Sequence, residues 1–312
     1  MRSPLLAVSM LVVLGLGVAY AENTDKEADE AIAAFRKAFS SKEESDRITA
    51  VDTLGAIQHK RVVDALAGPL AKDASNAVRR AAAKVIGNQW SANAVTALAA
   101  ALDPDDAAKD VTTAIIQALG RTESDKAVPV LLGLLTVKRR APKGQTPAPE
   151  QEGASVFTGP ALDALKRIGS ATAAEELVNF LGREAAAQGG GGRRGKGGGG
   201  GGGGGFDPLA KNAEAALAAI TGQKLQGAGE WRKWWAENKE SLKTIPVHRC
   251  PGTGRTFDKL SSATKCPFDG DQKASCGYLL KTRFENGGLS APDAAAPDGE
   301  NKGGRPKKKK NE

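Results

Sequence analysis

A repeat of about 33 residues constrains the fold of this chain more than any other feature of the sequence. The residues three and four positions before each repeat end are apolar, which places an apolar stripe on one face of a helix. Glycine just past such a stripe is a typical helix end. The repeat ends are Leu54-Gly55, Ile86-Gly87, Leu119-Gly120 and Ile168-Gly169, with Ile220-Thr221-Gly222 as a looser fifth.

A second apolar pattern precedes most of these helices, with spacings of three and then four residues that are again helical. Its copies are Val63-x2-Leu66-x3-Leu70, Val95-x2-Leu98-x3-Leu102, Val128-x2-Leu131-x3-Leu135 and Ala174-x2-Leu177-x3-Leu181. Each unit is thus a helix pair that buries its apolar faces only by stacking on its neighbours. We predict an all-α body, a right-handed α-solenoid of about five helix pairs over residues 41–245. An N-terminal helix at 22–40 precedes it, and essentially no strand occurs before Ile245.

The segment "NAVRRAAAKVIG", from Asn76 to Gly87, carries a family resemblance. It resembles the HEAT-repeat family, in particular the short bacterial type related to phycobilisome-lyase repeats. The resemblance covers roughly residues 41–244 and implies a HEAT-like solenoid. It implies little about function.

Two insertions lengthen the last two repeats, at residues 138–153 and 189–205. The first is polar and rich in proline and the second is nearly pure glycine, so both are predicted to be disordered. Both separate the first helix of a pair from the second, and we therefore expect them at the same edge of the solenoid. Their basic residues would form a fringe along that edge: Lys138, Arg139, Arg140, Lys143, Arg193, Arg194 and Lys196.

The first 21 residues have the pattern of a secretory signal peptide. Arg2 precedes an apolar run, and Ala19-Tyr20-Ala21 forms a small-x-small cleavage site. The run is short for a membrane span, and no later stretch is apolar enough to be one. We predict an exported protein, periplasmic or secreted, whose mature chain begins at Glu22.

The positive charge of the chain is concentrated in its irregular segments. Without residues 1–21, 43 basic residues face 36 acidic ones, a net charge of +7. Residues 302–312 contribute +5, residues 138–152 contribute +2 and residues 189–205 contribute +3, which leaves about −3 for the rest. We therefore predict a disordered basic tail at 286–312 and no polyanion-binding groove on the solenoid itself.

Residues 246–285 form a small Cys-Pro module that resembles a degenerate zinc ribbon. A full ribbon would have cysteine where Thr253 and Asp269 stand. Four side chains could still bind zinc: His248, Cys250, Cys266 and Cys276. Because the protein is exported, a Cys250–Cys266 disulfide is preferred, with zinc and free thiols as the alternatives. No other cofactor is expected.

Three tryptophans, Trp231, Trp234 and Trp235, lie at helical spacing and are predicted to cap the last repeat. An aromatic ligand cage is the alternative. Trp90 is interpreted as a packing residue between repeats, and His59 as a solvated turn residue.

No catalytic motif accompanies the repeats, and the repeat region has no His-Glu pair for a metal-dependent hydroxylase. We therefore predict a non-enzymatic scaffold of the cell envelope that binds a partner protein, with no small-molecule substrate. The alternative is a binder of acidic polymer, either nucleic acid or an anionic envelope component, that acts through the basic loops and tail.

Overall fold

The computed structural model describes residues 25–139, 151–189 and 208–250, together with 254, 256–257, 265–266, 269–273 and 278–285. Eleven α-helices occur in these residues. They are α1 (Asp25–Phe39), α2 (Glu44–Gly55), α3 (Lys60–Lys72), α4 (Asn76–Gly87), α5 (Asn93–Ala101), α6 (Lys109–Thr122), α7 (Val128–Leu132), α8 (Thr158–Ile168), α9 (Ala174–Gly189), α10 (Pro208–Thr221) and α11 (Gly227–Asn238).

The helices form two layers. The even-numbered helices α2, α4, α6, α8 and α10 each pack on the next, and each also packs on the odd-numbered helix before it. The odd-numbered helices form the other layer, where 3-10 turns at Asp125–Ala127 and Ala171–Ala173 lead into α7 and α9. The apolar positions of both repeat patterns are buried between the layers, except Leu102, which is partly buried. The prediction of a mostly helical, solenoid-like body is confirmed.

The repeated glycines allow close approach between units. A Cβ atom on Gly87 would lie 2.8 Å from the Cα of Ala118, and one on Gly120 would lie 2.9 Å from the Cα of Ala164. Real Cβ atoms do not come so close, and a side chain at either position would push consecutive even-numbered helices apart. These two glycines therefore set the spacing of the solenoid.

The later glycines act differently, because they end helices by their backbone conformation. Gly169 follows α8 with a φ of 63°, and its N–H donates to the carbonyl of Leu165. Gly222 follows α10 with a φ of 76°. The interpretation as a helix stop thus holds at these two positions, and α2 and α4 also end at Gly55 and Gly87, whereas α6 continues past Gly120 to Thr122.

The first insertion contains regular structure at its ends. Strand β1 (Thr136–Arg139) pairs antiparallel with β2 (Gln151–Ala154), so the prediction of no strand before Ile245 is wrong. The chain leaves α7 after a single turn, and the two ends of the insertion pair their backbone groups with each other. Residues 140–150 and 190–205 lie outside the described residues.

The C-terminal strands are β3 (Thr244–Arg249), β4 (Thr256–Phe257), β5 (Lys265–Cys266), β6 (Asp269–Lys273) and β7 (Tyr278–Phe284). Strand β3 lies at the centre of an antiparallel sheet of order β4-β3-β7, with a bulge at Val247 and His248. Strands β5 and β6 form a separate antiparallel pair. Strand β7 contacts α10 and both 3-10 turns, so the three-stranded sheet packs against the solenoid.

Candidate functional site

A groove of about 880 Å³ lies on the even-numbered layer, across α6, α8 and α10. Four residues of α8 face it at helical spacing, Pro160, Asp163, Ala164 and Arg167. The remaining lining residues are Gln117, Arg121, Glu123, Gly159, Lys166, Asn212 and Ala219. We refer to this cavity as the α6–α8–α10 groove.

Three basic side chains line the groove: Arg121, Lys166 and Arg167. Arg121 follows Gly120, where α6 lies close against Ala164 of α8, and this approach brings it near Arg167. Burial, followed by the positive charge of Arg167, lowers the pKa of the Arg121 guanidinium. Lys166 and Arg167 are exposed, whereas the Arg121 Nε is buried.

Two acidic side chains line the same groove, and they have different surroundings. Asp163 is exposed. The Glu123 carboxylate accepts a hydrogen bond from the Arg249 guanidinium, with 2.8 Å between Nη2 and Oε2. Both side chains are largely buried, with 15% of Glu123 and 11% of Arg249 exposed. Because Arg249 neutralises Glu123, the groove keeps a positive balance around Arg121 and Arg167.

Arg249 is one of several residues of the C-terminal sheet that form hydrogen bonds with the turns between one helix pair and the next. Arg249 also donates to the carbonyl of Thr122, the last residue of α6. The Lys281 Nζ donates to the carbonyl of Ile168, the last residue of α8, at 2.6 Å. The two cations thus satisfy C-terminal carbonyls of consecutive even-numbered helices, where the helix dipole favours positive charge.

Two further contacts extend this interface. The backbone N–H and hydroxyl of Thr282 both donate to Asp125 Oδ2, at 2.8 and 2.9 Å. Gly254 lies against the Trp90 indole so closely that a Cβ atom would be 2.4 Å from its Cε2. Trp90 therefore contacts the C-terminal module as well as the adjacent turn, where its backbone N–H donates to Gln58 Oε1.

The three tryptophans of α11 lie at the end of the helical array, where α11 packs on α9. Trp231 is fully buried, and Trp234 and Trp235 are half-buried against the core. The Trp231 and Trp234 rings form an edge-to-face pair with centroids 6.0 Å apart. The Trp235 ring also forms an edge-to-face pair with Phe284 of β7, with ring centroids 6.2 Å apart. Their predicted role as a cap remains a prediction.

The structure brings together only part of the predicted Cys-Pro site. His248 and Cys250 are buried at the end of β3, and Cys266 lies on β5. Cys276 lies outside the described residues. In the described part of the chain, no group of three or more His, Cys, Asp or Glu side chains could hold a metal ion. The choice between disulfide, zinc and thiols therefore remains a prediction.

Most of the predicted basic fringe lies outside the described residues. Lys138 and Arg139 belong to β1. The other five are Arg140, Lys143, Arg193, Arg194 and Lys196. Residues 1–24 and 286–312, which contain the predicted signal peptide and basic tail, are not described either.

His59 is not the solvated turn residue that we predicted. It is buried, and as N-cap of α3 its Nδ1 accepts the backbone N–H of Arg61. Its Nε2 lies 3.0 Å from Asp25 Oδ1 of α1, and the backbone N–H of His59 donates to Gln89 Oε1. The reason is that the turn is covered by α1 and by the following turn, which a local view of the sequence does not include.

The sequence did not predict the α6–α8–α10 groove. The net charge of the folded body is a sum over all of its surfaces, so it does not reveal a local group of basic residues. One signal was present. Basic residues flank the repeat ends as Leu119-Gly120-Arg121 and Lys166-Arg167-Ile168-Gly169. Consecutive repeats that stack in register would place these residues side by side.

Comparison with known families supports the fold. Residues 68–142, from within α3 to just beyond β1, match the family model of HEAT repeats. The match supports a HEAT-repeat protein, and HEAT repeats are typically non-catalytic scaffolds for protein interaction. No curated protein matches the chain. Among the described helices, none is long and apolar enough to cross a membrane.

Proposed function

We propose that this protein is an exported, non-enzymatic scaffold that holds a partner protein in the α6–α8–α10 groove. The observation that carries the proposal is the groove itself, a concave surface formed by three consecutive even-numbered helices of a HEAT-like array. Stacked repeats use such surfaces to bind extended segments of other proteins. Its mixture of small apolar, amide and charged side chains suits a protein ligand.

Export and the kinship with short bacterial HEAT repeats are parts of the same proposal. The pattern of residues 1–21 supports export. The intact mass of the protein from an envelope fraction should correspond to a chain that begins at Glu22. A mass that includes residues 1–21 would contradict cleavage and indicate a retained N-terminal segment.

Site-specific photo-crosslinking tests the binding surface. A photoreactive amino acid at Gln117 or Asn212 should capture the same partner protein, and the same group at Glu176, on the exposed surface of α9, should not. Ala219→Trp should reduce capture because the indole fills the groove, while Glu176→Trp serves as the matched control. Equal capture from Glu176, or capture unaffected by Ala219→Trp, would contradict the proposal.

The alternative function, binding of acidic polymer, is separated by its dependence on the tail. A chain without residues 302–312 should keep its groove crosslinks, and these should persist at high salt. Loss of capture on tail removal, or above moderate salt, would favour acidic polymer, since such binding depends on released counterions.

A further inference from the structure

We propose that the α6–α8–α10 groove recognises an acidic segment of the partner protein, and that Arg121 and Arg167 together bind one Asp or Glu carboxylate of that segment. This inference rests on the proposed function, because it names the chemistry of the ligand that the groove holds.

The first argument is that both arginines line the groove without a carboxylate partner of their own in the described ranges. Within the described part of the chain, five arginines form ion pairs with carboxylates: Arg47, Arg61, Arg79, Arg80 and Arg249. Arg121 and Arg167 form none there, although both line the groove. Arg121 is also partly buried, and its Nε has no hydrogen-bond partner among the described residues. A buried donor without a partner is costly, and a ligand that draws the Arg121 guanidinium toward the groove would bring this donor to an acceptor.

The second argument is electrostatic. Arg121 and Arg167 repel each other, and burial removes part of the hydration of Arg121. A carboxylate between them would relieve both effects, because a guanidinium offers paired N–H donors that match the two oxygens of a carboxylate. The exposed Lys166 adds positive charge beside the pair.

The composition of the groove favours a peptide over a nucleic acid. The exposed Asp163 lines the same cavity, so a polymer with a phosphate on every unit would meet negative charge next to the arginines. A single carboxylate can avoid this side chain. Pro160, Ala164 and Ala219 provide apolar contacts for a polypeptide, and the Gln117 and Asn212 amides can donate to and accept from its backbone.

Selection from a phage-displayed library of random peptides on the full mature protein tests the inference. We expect enrichment of Asp and Glu among peptides bound to the unchanged protein. We expect the affinity of a selected peptide to fall about 10-fold or more in Arg121→Gln/Arg167→Gln, because a hydrogen bond to a charged group is lost. Arg36→Gln/Lys37→Gln, which removes two exposed charges of α1, is the matched control and should bind as before.

A second variant keeps the test independent of folding at the partly buried position. Arg167→Glu changes an exposed side chain only, and it should shift the selected peptides from acidic to basic. No acidic preference in the unchanged protein, or a preference that survives both groove variants, would overturn the inference. If groove crosslinks to the partner protein persist in Arg121→Gln/Arg167→Gln, the scaffold proposal stands and the acidic ligand fails. If Ala219→Trp also leaves them unchanged, the scaffold proposal fails.

Discussion

The two edges of the solenoid are stabilised in different ways. At one edge, where the first helix of a pair turns into the second, side chains of neighbouring units form ion pairs. Arg47 binds Asp73 through two hydrogen bonds of 3.1 Å, and Arg79 binds Asp106 at 2.8 Å. At the other edge, where one pair leads to the next, the C-terminal sheet covers the turns. Neighbouring units thus support the first edge, whereas a segment more than 100 residues away supports the second.

The first edge also changes along the chain. Arg47 and Arg79 both stand eight residues before the repeat glycine of their units, and Thr112 and Ala161 occupy that position in the next two. The insertions begin where the ion pairs stop. Along this edge, ion pairs between neighbouring units therefore give way to the two inserted segments of the sequence. The sheet at the opposite edge supports the same later units through Glu123, Asp125 and Ile168.

The largest effect is expected when the sheet loses its apolar anchor. Phe284→Ala removes a side chain that is 5% exposed and packs on Trp235, so we expect the free energy holding the sheet to fall by about 3 kcal/mol. Hydrogen exchange of the β7 amides under native conditions would measure it. Leu279→Ala, on the same strand but 53% exposed, is the control and should change little. Equal effects of the two substitutions would show that the sheet is not anchored through Phe284.

The charged contact of the same edge should come next. Arg249→Ala leaves the Glu123 carboxylate partly buried without its ion-pair partner, at an expected cost of about 2 kcal/mol in chemical denaturation. In a double-mutant cycle, Glu123→Ala should reduce the further effect of Arg249→Ala. Additive losses would mean that the two side chains do not interact. Arg80→Ala, which breaks an exposed ion pair with Asp110, should cost about 0.5 kcal/mol or less.

At the edge that carries the ion pair of Arg79 with Asp106, we expect a smaller change in the free energy of unfolding, and this change depends on pH. The backbone N–H of Ala108, followed by Arg79, lowers the pKa of Asp106 in the folded chain. Its contribution to stability is complete above the pKa of an unfolded Asp, about 3.9, and is lost as the pH falls through the lower folded value. Asp106→Asn should therefore destabilise the protein at neutral pH and matter less in acid. A destabilisation by Asp106→Asn that is the same at neutral and acidic pH would contradict this prediction.

The difference between the edges also explains how much could be predicted from the sequence. Helices are local, so the spacing of Val63, Leu66 and Leu70 was enough to predict a helix whose apolar face is buried, and all three side chains are fully buried. The ion pair of Arg79 with Asp106 joins adjacent repeats and is accessible, in principle, to an alignment of the repeats.

The contacts of the C-terminal sheet and the geometry of the groove could not be predicted from the repeat period. Arg249 and Glu123 are 126 residues apart, and nothing in the pattern around the Cys-Pro module indicates which turn it meets. Likewise, the close contact at Gly120 that brings Arg121 near Arg167 depends on the stacking of α6 on α8. The repeat glycine was predictable as a boundary, but its second role in close packing appears only once the neighbouring helix is in place.

The smallest effect on stability is expected from the insertions. Replacing residues 140–150 by Asn-Gly keeps β1 and β2 and closes them with a tight hairpin turn, and residues 190–205 can be shortened to a few glycines. Loop closure changes by only about 0.6 kcal/mol per doubling of length, so a loop shortened about fivefold should leave the free energy of unfolding the same or raise it by no more than about 1.5 kcal/mol. Because Arg140, Lys143, Arg193, Arg194 and Lys196 are then removed, capture of an acidic partner at low salt measures the predicted basic fringe separately.

A variant that also removes β1 and β2 is the matched comparison for the first insertion. If the hairpin variant is as unstable as that one, residues 140–150 are a packed element of the solenoid; if capture is unchanged in every variant, the insertions are spacers, and partner binding depends on the groove alone.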